Sequence, residues 1–405
     1  MALVRMRTAC CIAGGGPAGV MLGYLLARSG VEVMVLEKHA DFFRDFRGDT
    51  IHPSTLEVLN ELGLLDEFLK LPHNEDSSVG AQIGPFKFTV ADFSHLPTRC
   101  KFIAFTPQWD FLNFLVGQGK KYPFFHLKLE HMVTGLLRDT ERVIGVRAET
   151  PEGPVEIIAD LVIGADGRGS LVREQSGLAV TDLGAPFDVL WMRVSRHPDD
   201  PLTSLGNFQT GRGIVMINRQ DYWQCGFLIA KGSLPRLKEE GIGAFQQNLS
   251  EIAPFLKERV RELDNWEKIK LLTVQVNHLE KWYSPGLLCI GDAAHAMSPV
   301  GGVGVNLAVQ DAVAAANLLT EALRSGRVAE AILASVEKRR LWPALMTQRF
   351  QVFIQDQFLL PVLQGEKEVT VPLVARLLSA FPLLQRIPAR LLGLGIRPEH
   401  VNHRE

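Results

Sequence analysis

The sequence is poor in the features that mark several large classes of protein. Its 43 lysines and arginines nearly balance its 45 aspartates and glutamates, which leaves a net charge of −2 over 405 residues. Such a chain lacks the basic excess expected of a protein that binds nucleic acid. Its five cysteines are odd in number and have no metal-ligand spacing. This favours buried, reduced thiols in the cytoplasm and predicts no metal site.

Long apolar runs are also absent. No stretch approaches the roughly 18 consecutive apolar residues of a membrane-spanning helix. The first apolar run breaks into GGGPAG without the small-residue cleavage pattern of a signal peptide. A composition of 46% hydrophobic and 22% charged residues is typical of globular proteins. We therefore expect one large domain or two fused ones, without a transmembrane segment.

The first stretch of the sequence that indicates a function is rich in glycine. The stretch RTACCIAGGGPAGVMLGYLLARSGVEVMVLEK (7–38) predicts a strand, a tight turn, an amphipathic helix and a second strand. Gly14, Gly16 and Gly19 match G-x-G-x-x-G, in which the second glycine lets a pyrophosphate approach the backbone at the helix N-terminus. Glu37 ends the second strand, near the usual offset of about 20 residues for a ribose-binding carboxylate. We predict a dinucleotide site here.

Two later stretches narrow the prediction to a flavin. ADLVIGADGRGSLVRE (159–174) is a strand that ends in Asp166, followed by a turn and a helix. GLLCIGDAAHAMSPVGGVGVN (286–306) is a strand that ends in Asp292, followed by glycines that lead into a long helix. With these three motifs in order, the chain resembles the para-hydroxybenzoate hydroxylase family of flavin-dependent aromatic monooxygenases over roughly residues 7–345.

The resemblance implies an α/β fold with three parts. A Rossmann-type FAD-binding domain would be assembled from residues 1–177 and 286–345. A β-rich substrate domain, residues 178–285, would be inserted between these two segments. Residues 346–405 would form a C-terminal helical segment. The alternating apolar runs between 187 and 232 are consistent with antiparallel strands in the inserted part.

The resemblance also implies an FAD site. Asp292 would accept a hydrogen bond from a hydroxyl of the ribityl chain. The glycines after it would let backbone N–H groups approach the flavin, and the helix N-terminus would stabilise negative charge on the reduced ring. The implied FAD-binding residues are Gly14, Gly15, Gly16, Pro17, Ala18, Gly19, Glu37, Lys38, Arg47, Gln108, Val133, Asp166, Asp292, Gly301, Gly302, Gly304, Val305 and Asn306.

Four of these positions depend on the resemblance alone. Arg47 corresponds to a residue that reaches the pyrophosphate or the incoming nicotinamide cofactor. Gln108 would contact the phosphate–ribityl region, and the strand of Val133 would contact the adenine. Lys38 could cover the adenosine ribose or could equally be a solvated surface residue.

Two residues are implied for the chemistry. Pro299 would lie beside the substrate. Asp49, in RGDTIHPSTLE, is similar to a substrate-activating aspartate of the phenol hydroxylase branch and could take a phenol proton. The alternative is a turn aspartate that caps the helix beginning near Pro53. His295 follows Asp292 by three residues and could form a dyad with it, although a structural role is favoured.

The inserted sheet would form a roof over the flavin. Strand alternation places Trp191 and Arg193 on one face, and Gln224 on the opposite face from Trp223. The candidates for lining the substrate pocket, each of which could equally be core or surface, are Trp191, Arg193, Met216, Trp223, Gln224 and Phe227. The chain has only four tyrosines, and none matches the pair that polarises the phenol in para-hydroxybenzoate hydroxylase. This implies a substrate that depends less on phenolate activation.

The implied activity is that of a single-component FAD monooxygenase. NAD(P)H would reduce the flavin, O2 would add at C4a, and the hydroperoxide would hydroxylate an aromatic or polyketide-like molecule. The protein would be a monomer or a homodimer. Two alternatives remain open: an FAD-dependent reductase or dehydrogenase that acts on a quinone or prenyl substrate, and a non-catalytic flavin redox sensor. A flavin halogenase is disfavoured because the chain has no W-x-W-x-I-P stretch.

The last part of the chain departs most from the family pattern. Residues 371–398 contain four arginines and no acidic residue among many leucines. The segment could cap a hydrophobic pocket, form an apolar dimer patch or lie on a membrane surface. Helices packed back on the core are the favoured interpretation.

Overall fold

The computed structural model of the protein describes residues 4–43, 50–201, 204–365 and 370–402. Its first sheet has eight strands. Five neighbouring strands run parallel, in the order Leu287–Cys289, Gly153–Gly164, Val4–Ala13, Val33–Leu36 and Phe125–Lys128. The antiparallel strands are Tyr283–Ser284, Met132–Asp139 and Arg142–Thr150.

Helices pack around this sheet in one hydrophobic core. The run Cys10–Ala13 is fully buried, as expected for a parallel strand with both faces covered. Helix Pro17–Arg28 starts with a proline, which suits the first turn of a helix, and packs against the long helix Gly304–Arg324. The α-helices of the described chain are Pro17–Arg28, Pro53–Glu61, Leu65–Phe68, Gln108–Gly119, Leu171–Ser176, Leu234–Glu240, Ile242–Ile252, Gly304–Arg324, Glu330–Ile354, Leu360–Gln364, Leu373–Ala380 and Arg386–Gly393.

A second sheet has seven strands. Their order is Lys270–Leu272, Phe187–Ser195, Tyr222–Ala230, Arg212–Asn218, Leu205–Gln209, Ser78–Ile83 and Phe86–Asp92. One face of this sheet packs on helix Ile242–Ile252, and we call it the helix-covered face. The opposite face, which we call the inner face, packs toward residue Val300 and the C-terminal helices.

This sheet differs from the predicted division of the chain. The strands Ser78–Ile83 and Phe86–Asp92 belong to it, whereas the prediction placed residues 1–177 in the FAD-binding part. Strand Ser78–Ile83 pairs in parallel with Leu205–Gln209, so a distant segment completes the sheet. The predicted limit at residue 345 also falls inside one continuous helix, Glu330–Ile354. Sequence order alone does not show such long-range pairing.

Two small three-stranded sheets connect the larger parts. One consists of Thr50–Ile51, Ile103–Phe105 and Asn74–Asp76, and the other of Val180–Asp182, Asn277–Leu279 and His295–Ala296. Among the described residues, the stretch Val300–Arg324 is the one that is long and apolar enough to cross a membrane, and 78% of its most apolar window is buried inside the protein. This stretch therefore forms part of the protein core.

Candidate flavin site

The first glycine turn leaves a gap beside tightly packed backbone. Gly14 has a φ of +109°, and a Cβ there would lie 2.3 Å from the oxygen of Ala165. A Cβ on Gly19 would lie 2.0 Å from the oxygen of Gly14. A Cβ on Gly16 would meet no described atom within 4 Å. Because Gly16 precedes the first turn of helix Pro17–Arg28, the gap lies at a helix N-terminus, where a phosphate binds favourably.

Glu37 is fixed at the end of its strand. One carboxylate oxygen accepts a hydrogen bond from the backbone N–H of Gly15 at 3.1 Å, and the other accepts one from His39 N–H at 3.1 Å. The carboxylate is thereby tied to the glycine turn, and its contact with the ribose stays a prediction. Lys38 is exposed. Its assignment to FAD stays a prediction.

Two other predicted positions lie in the described part of the chain. Gln108 is the first residue of helix Gln108–Gly119 and is half-buried. Val133 lies on strand Met132–Asp139, opposite Ala148. Their contacts with FAD also stay predictions. Arg47 and Asp49 lie outside the described residues.

The two aspartate motifs come together in the folded chain. Nε of Arg168, which directly follows the Asp166-Gly167 pair, donates to Oδ2 of Asp292 at 3.0 Å. Both side chains remain about 30% exposed, so the Asp292 carboxylate is accessible to a polyol. The strand ends that carry the motifs are neighbours in the parallel sheet, where α/β folds bind their ligands.

Asp166 itself is largely engaged by its own turn. Its carboxylate accepts hydrogen bonds from the hydroxyl of Ser170 and from the N–H of Val172 at 3.1 Å. Burial raises the pKa of Asp166, although these hydrogen bonds oppose the shift. The carboxylate fixes the turn that carries Arg168. A direct contact of Asp166 with FAD stays a prediction.

A second gap lies at the start of the long helix. Gly301 and Gly302 have φ values of +79° and +63°. A Cβ on Gly301 would lie 2.7 Å from Leu392 Cδ2, and one on Gly302 would lie 2.6 Å from Thr50 Oγ1. A Cβ on Gly304, the first residue of the helix, would have no described atom within 4 Å. The helix N-terminus therefore borders open space, with Pro299 half-buried at the entrance of the loop.

Asn306 offers an unused donor at this gap. Its Oδ1 accepts hydrogen bonds from the N–H of His52 at 3.1 Å and from Thr55 Oγ1 at 2.6 Å. Its Nδ2 is buried and has no hydrogen-bond partner among the described residues. A buried amide donor needs an acceptor, and a carbonyl of the flavin pyrimidine would supply one. Two glycine gaps, an accessible carboxylate and this orphaned donor together fit an FAD.

Comparison with known proteins agrees with this geometry. The profile of a family described as an FAD binding domain matches residues 7–350. The chain belongs to this FAD-binding-domain family. The 6-methylpretetramide 4-monooxygenase of Streptomyces rimosus is 30% identical to this flavoprotein over 391 residues, which cover 95% of the chain and 92% of the relative.

Two further proteins show the range of the family. The dialkyldecalin synthase of Streptomyces rugosporus is 25% identical over 76% of this chain, and the match spans 64% of that relative. The solved structure of the anhydrotetracycline hydroxylase OxyS from Streptomyces rimosus has a TM-score of 0.75 at 25% identity and covers 99% of this chain and 78% of that one. The predicted fold class, the FAD cofactor and the relation to FAD-dependent monooxygenases are confirmed.

His295 of the flavoprotein pairs with a partner other than Asp292. Its Nε2 lies 2.6 Å from Oδ2 of Asp311, and Oδ1 of Asp311 accepts from Nε of Arg340 at 2.9 Å. All three side chains are at most 1% exposed. Burial alone would raise the pKa of Asp311, but the charges and hydrogen bonds of His295 and Arg340 lower it. Asp311 also accepts from the N–H of Gly291 at 3.0 Å, so the network positions the motif that carries Asp292.

The six predicted pocket residues separate onto the two faces of the second sheet. Met216, Trp223 and Phe227 are on the helix-covered face, at most 5% exposed, in the core that includes helix Ile242–Ile252. Their prediction as pocket residues is wrong, because they lie on the opposite face of the sheet from the flavin loop, in the core alternative that was left open for each.

Trp191, Arg193 and Gln224 share the inner face. Strand alternation predicted the common face of Trp191 and Arg193 and the position of Gln224 on the other face from Trp223. Trp191 is half-buried and packs in the same cluster as Val300 of the flavin loop. The guanidinium of Arg193 is exposed and lies 3.9 Å from the ring centroid of Tyr222. Gln224 is buried and accepts from Nε of Arg219 at 3.1 Å. Trp191 is therefore the strongest of the six candidates.

The C-terminal segment covers the flavin loop from the other side. The backbone oxygen of Leu392 accepts from Nδ1 of His52 at 2.8 Å. Burial lowers the pKa of His52 to about 4, so the imidazole is neutral at physiological pH. The side chain of Leu392 is in contact range of Gly301. This inner part of residues 371–398 therefore packs back on the core, which was the favoured interpretation. A role as a cap over a substrate pocket stays a prediction.

Some residues at this site were not predicted. Arg168 has no signal of its own beyond its place beside the Asp-Gly motif. Gln348, Gln351 and Gln355 share one face of helix Glu330–Ile354 and its π-helical continuation. Their spacing of three and four residues is visible in QRFQVFIQDQ, but their burial is visible only in the packing. Among the described residues, no group of three or more His, Cys, Asp or Glu side chains is placed to hold a metal ion.

Proposed function

We propose that this protein is a single-component FAD-dependent monooxygenase that hydroxylates an aromatic or polyketide-like small molecule, with NAD(P)H and O2 as co-substrates. The observation that carries the proposal is the contact between the flavin loop and the substrate sheet. Val300, in that loop, packs in one apolar cluster with Trp191 and Leu228 of the inner face. An organic substrate held in this cluster would lie next to the bound flavin.

Bound FAD would supply electron transfer from NAD(P)H and activation of O2. The residues of the chain would bind and orient it. The gap at Gly16 would take the pyrophosphate, Asp292 would accept from the ribityl hydroxyls, and Asn306 Nδ2 would donate to the flavin ring. The N-terminus of helix Gly304–Arg324 would stabilise negative charge at the ring edge.

The apolar inner face would exclude water from the reacting centre. Hydroxylation requires that activated oxygen meets the substrate before it is lost to solvent. Trp191 and Leu228 would form this dry roof, and Pro299 would border the substrate. The chain needs few side chains for proton transfer under this proposal, and Asp49 remains the candidate base. The names of two relatives, a 6-methylpretetramide 4-monooxygenase and an anhydrotetracycline hydroxylase, support a polycyclic substrate.

We place the enzyme in the cytoplasm as part of the same proposal. All five cysteines are buried and free, which suits a reducing compartment. The outer side of the C-terminal helices exposes Leu373, Phe381, Leu383 and Ile387. Contact of this side with a second subunit or with a membrane surface stays a prediction.

Stopped-flow reduction of the FAD-loaded protein tests the proposed function. NADH and NADPH would each be mixed with the protein, alone and with pools of phenols, quinones and polycyclic aromatics. We expect one pool to accelerate flavin bleaching at least tenfold, because a substrate bound beside the flavin would help to hold the ring in position for reduction. Failure of both nicotinamides to reduce the flavin under every pool would contradict the proposal. A cofactor-binding synthase or a redox sensor would then be the better description.

A further inference from the structure

Three buried glutamines follow one face of the helix Glu330–Ile354 and its continuation. Gln348, Gln351 and Gln355 are at most 2% exposed. Gln348 Nε2 donates to the backbone oxygens of Asn277 at 2.8 Å and Ala296 at 3.0 Å. The first glutamine thus binds the chain just before the flavin loop.

Gln351 binds the loop itself. Its Oε1 accepts from the N–H of Ser298 at 3.1 Å. Its Nε2 donates to the backbone oxygens of Ser298 at 2.9 Å and Val300 at 2.8 Å. Every hydrogen-bonding atom of this amide is in use, so Gln351 has a structural role in holding the loop around Pro299.

Gln355, one turn further on, is different. It is 1% exposed, yet neither its Oε1 nor its Nε2 has a partner in the part of the chain that the structure describes. Burial of an amide without hydrogen bonds costs free energy, and native proteins rarely leave one unpaired. Gln355 also begins the π-helical turn Gln355–Leu359, and π-helical turns are frequent at functional sites.

The surroundings of Gln355 are the proposed substrate space. Its helical neighbours Val352, Phe358 and Leu359 pack in the apolar cluster that contains Val300 and Trp191. The indole Nε1 of Trp191 is also buried without a partner among the described residues. Two neutral polar groups therefore adjoin one apolar cluster, and both lack a partner. The amide can donate and accept, whereas the indole can only donate.

The described cations beside this cluster and on the inner face already have partners. Lys231 donates to the backbone oxygen of Val274, a member of the cluster, at 2.5 Å, and pairs with the carboxylate of Asp188 at 2.8 Å. On the inner face, the guanidinium of Arg193 stacks on Tyr222 and that of Arg219 donates to Gln224. A carboxylate buried beside Gln355 and Trp191 would lose its hydration without gaining a counter-charge.

We propose that Gln355 and the indole N–H of Trp191 bind neutral hydroxyl or carbonyl groups of the substrate, and that the site selects uncharged polycyclic phenols or quinones over their carboxylates. This inference rests on the proposed function, because it places the substrate of that function in the cluster beside Val300. Under this proposal Gln355 is a substrate-binding residue, because the substrate would supply the hydrogen-bond partners that its buried amide lacks.

The first test needs no turnover. We would compare the thermal unfolding of FAD-loaded wild type, Gln355→Leu and the matched control Gln351→Leu. Replacing an unpartnered amide by an apolar group of similar size removes a desolvation cost, so Gln355→Leu should unfold at the same temperature or a higher one. Gln351→Leu should unfold several degrees lower, because it loses three hydrogen bonds. A comparable drop for Gln355→Leu would mean that its amide is structurally bonded, and would overturn the inference.

The second test measures ligand binding by the change in flavin absorbance. Chrysophanol and rhein share one dihydroxyanthraquinone framework and differ by a methyl group and a carboxylate. Wild type should bind chrysophanol at least tenfold more tightly than rhein. Gln355→Leu and Trp191→Phe should each weaken chrysophanol binding about tenfold and leave FAD content unchanged, since one hydrogen bond to a buried group is lost.

Equal affinity for rhein and chrysophanol, binding of neither, or unchanged binding in both variants would overturn the inference. These outcomes are separate from failure of the proposed function. If the ligands bind as expected but neither nicotinamide reduces the flavin, the recognition site stands and the monooxygenase reaction does not.

Discussion

Single glycines in this protein act in two different ways. At Gly14 and Gly19 the backbone of one segment touches another, and a Cβ would lie within 2.3 Å of a carbonyl oxygen. At Gly16 and Gly304 a Cβ would have no described atom within 4 Å. The first pair is needed for the fold, whereas the second pair leaves room for something other than the chain. Both open glycines lie at the N-termini of helices, where anions and polar ligand edges bind.

Substitution of one glycine from each pair separates these roles. Gly16→Val should fold with an unfolding temperature close to that of wild-type apoprotein, but bind FAD at least tenfold more weakly, which corresponds to about 1.4 kcal/mol. The new side chain would occupy the pyrophosphate space. Gly19→Val should be strongly destabilised, because its Cβ would lie 2.0 Å from the Gly14 oxygen. The measurements are FAD stoichiometry by absorbance and thermal unfolding of the apoproteins. A Gly16→Val protein with full FAD content would argue against a pyrophosphate at this turn.

The residues of the flavin site were predictable to different degrees. Gly16, Glu37 and Asp292 lie in motifs whose physical roles depend on local spacing, so the sequence alone indicates them. The ion pair of Arg168 with Asp292 joins positions 124 residues apart, and no local pattern predicts such a partner. Gln355 was missed for a related reason. A glutamine in a helix is usually exposed, and only packing shows that this one is buried.

The second sheet shows what strand alternation can and cannot predict. A period of two correctly places Trp191 and Arg193 on one face, and Gln224 opposite Trp223. Strand alternation does not show which face of the sheet packs against the flavin loop. Helix Ile242–Ile252 covers Trp223, and that choice depends on tertiary packing. The prediction of Met216 and Phe227 as pocket residues failed because apolar strand residues look alike on both faces.

The two faces predict opposite phenotypes for two tryptophans of one sheet. Trp223 is 1% exposed, and its Nε1 donates to Asp200 at 2.8 Å. Trp223→Ala should lower the free energy of unfolding by about 3–5 kcal/mol. Its effect on substrate-stimulated flavin reduction should be small under conditions where it is folded. Trp191→Ala, at a half-buried position, should show the reverse pattern. It should lower the free energy of unfolding less than Trp223→Ala does, and it should remove most of the stimulation of flavin reduction by the substrate. Urea unfolding and stopped-flow reduction measure the two effects. A selective loss of stimulation in Trp223→Ala would contradict the assignment of the faces.

In the whole molecule, a segment near the N-terminus and one near the C-terminus meet at the flavin loop. Helix Pro53–Glu61 follows His52, which bonds to Leu392, and Leu392 in turn packs on Gly301. Further along, Glu399 pairs with Arg339 at 2.6 Å and lies 3.6 Å from Arg340. The C-terminal segment is therefore packed against the flavin loop and the helix that begins after His52. The resemblance implied the order of the parts, but it could not predict this closure, since the segment departs most from the family pattern.

Transfer of an oxygen atom from O2 to an organic substrate is the central step of the proposed function. The most direct measurement is turnover under isotopically heavy dioxygen, with the compound that best accelerates flavin reduction, followed by mass spectrometry of the product. We expect one heavy oxygen atom per product molecule and little hydrogen peroxide, because the apolar inner face excludes water. Product formed without O2, or product whose new oxygen comes from water, would contradict the monooxygenase assignment and favour a reductase or synthase on the same flavin fold.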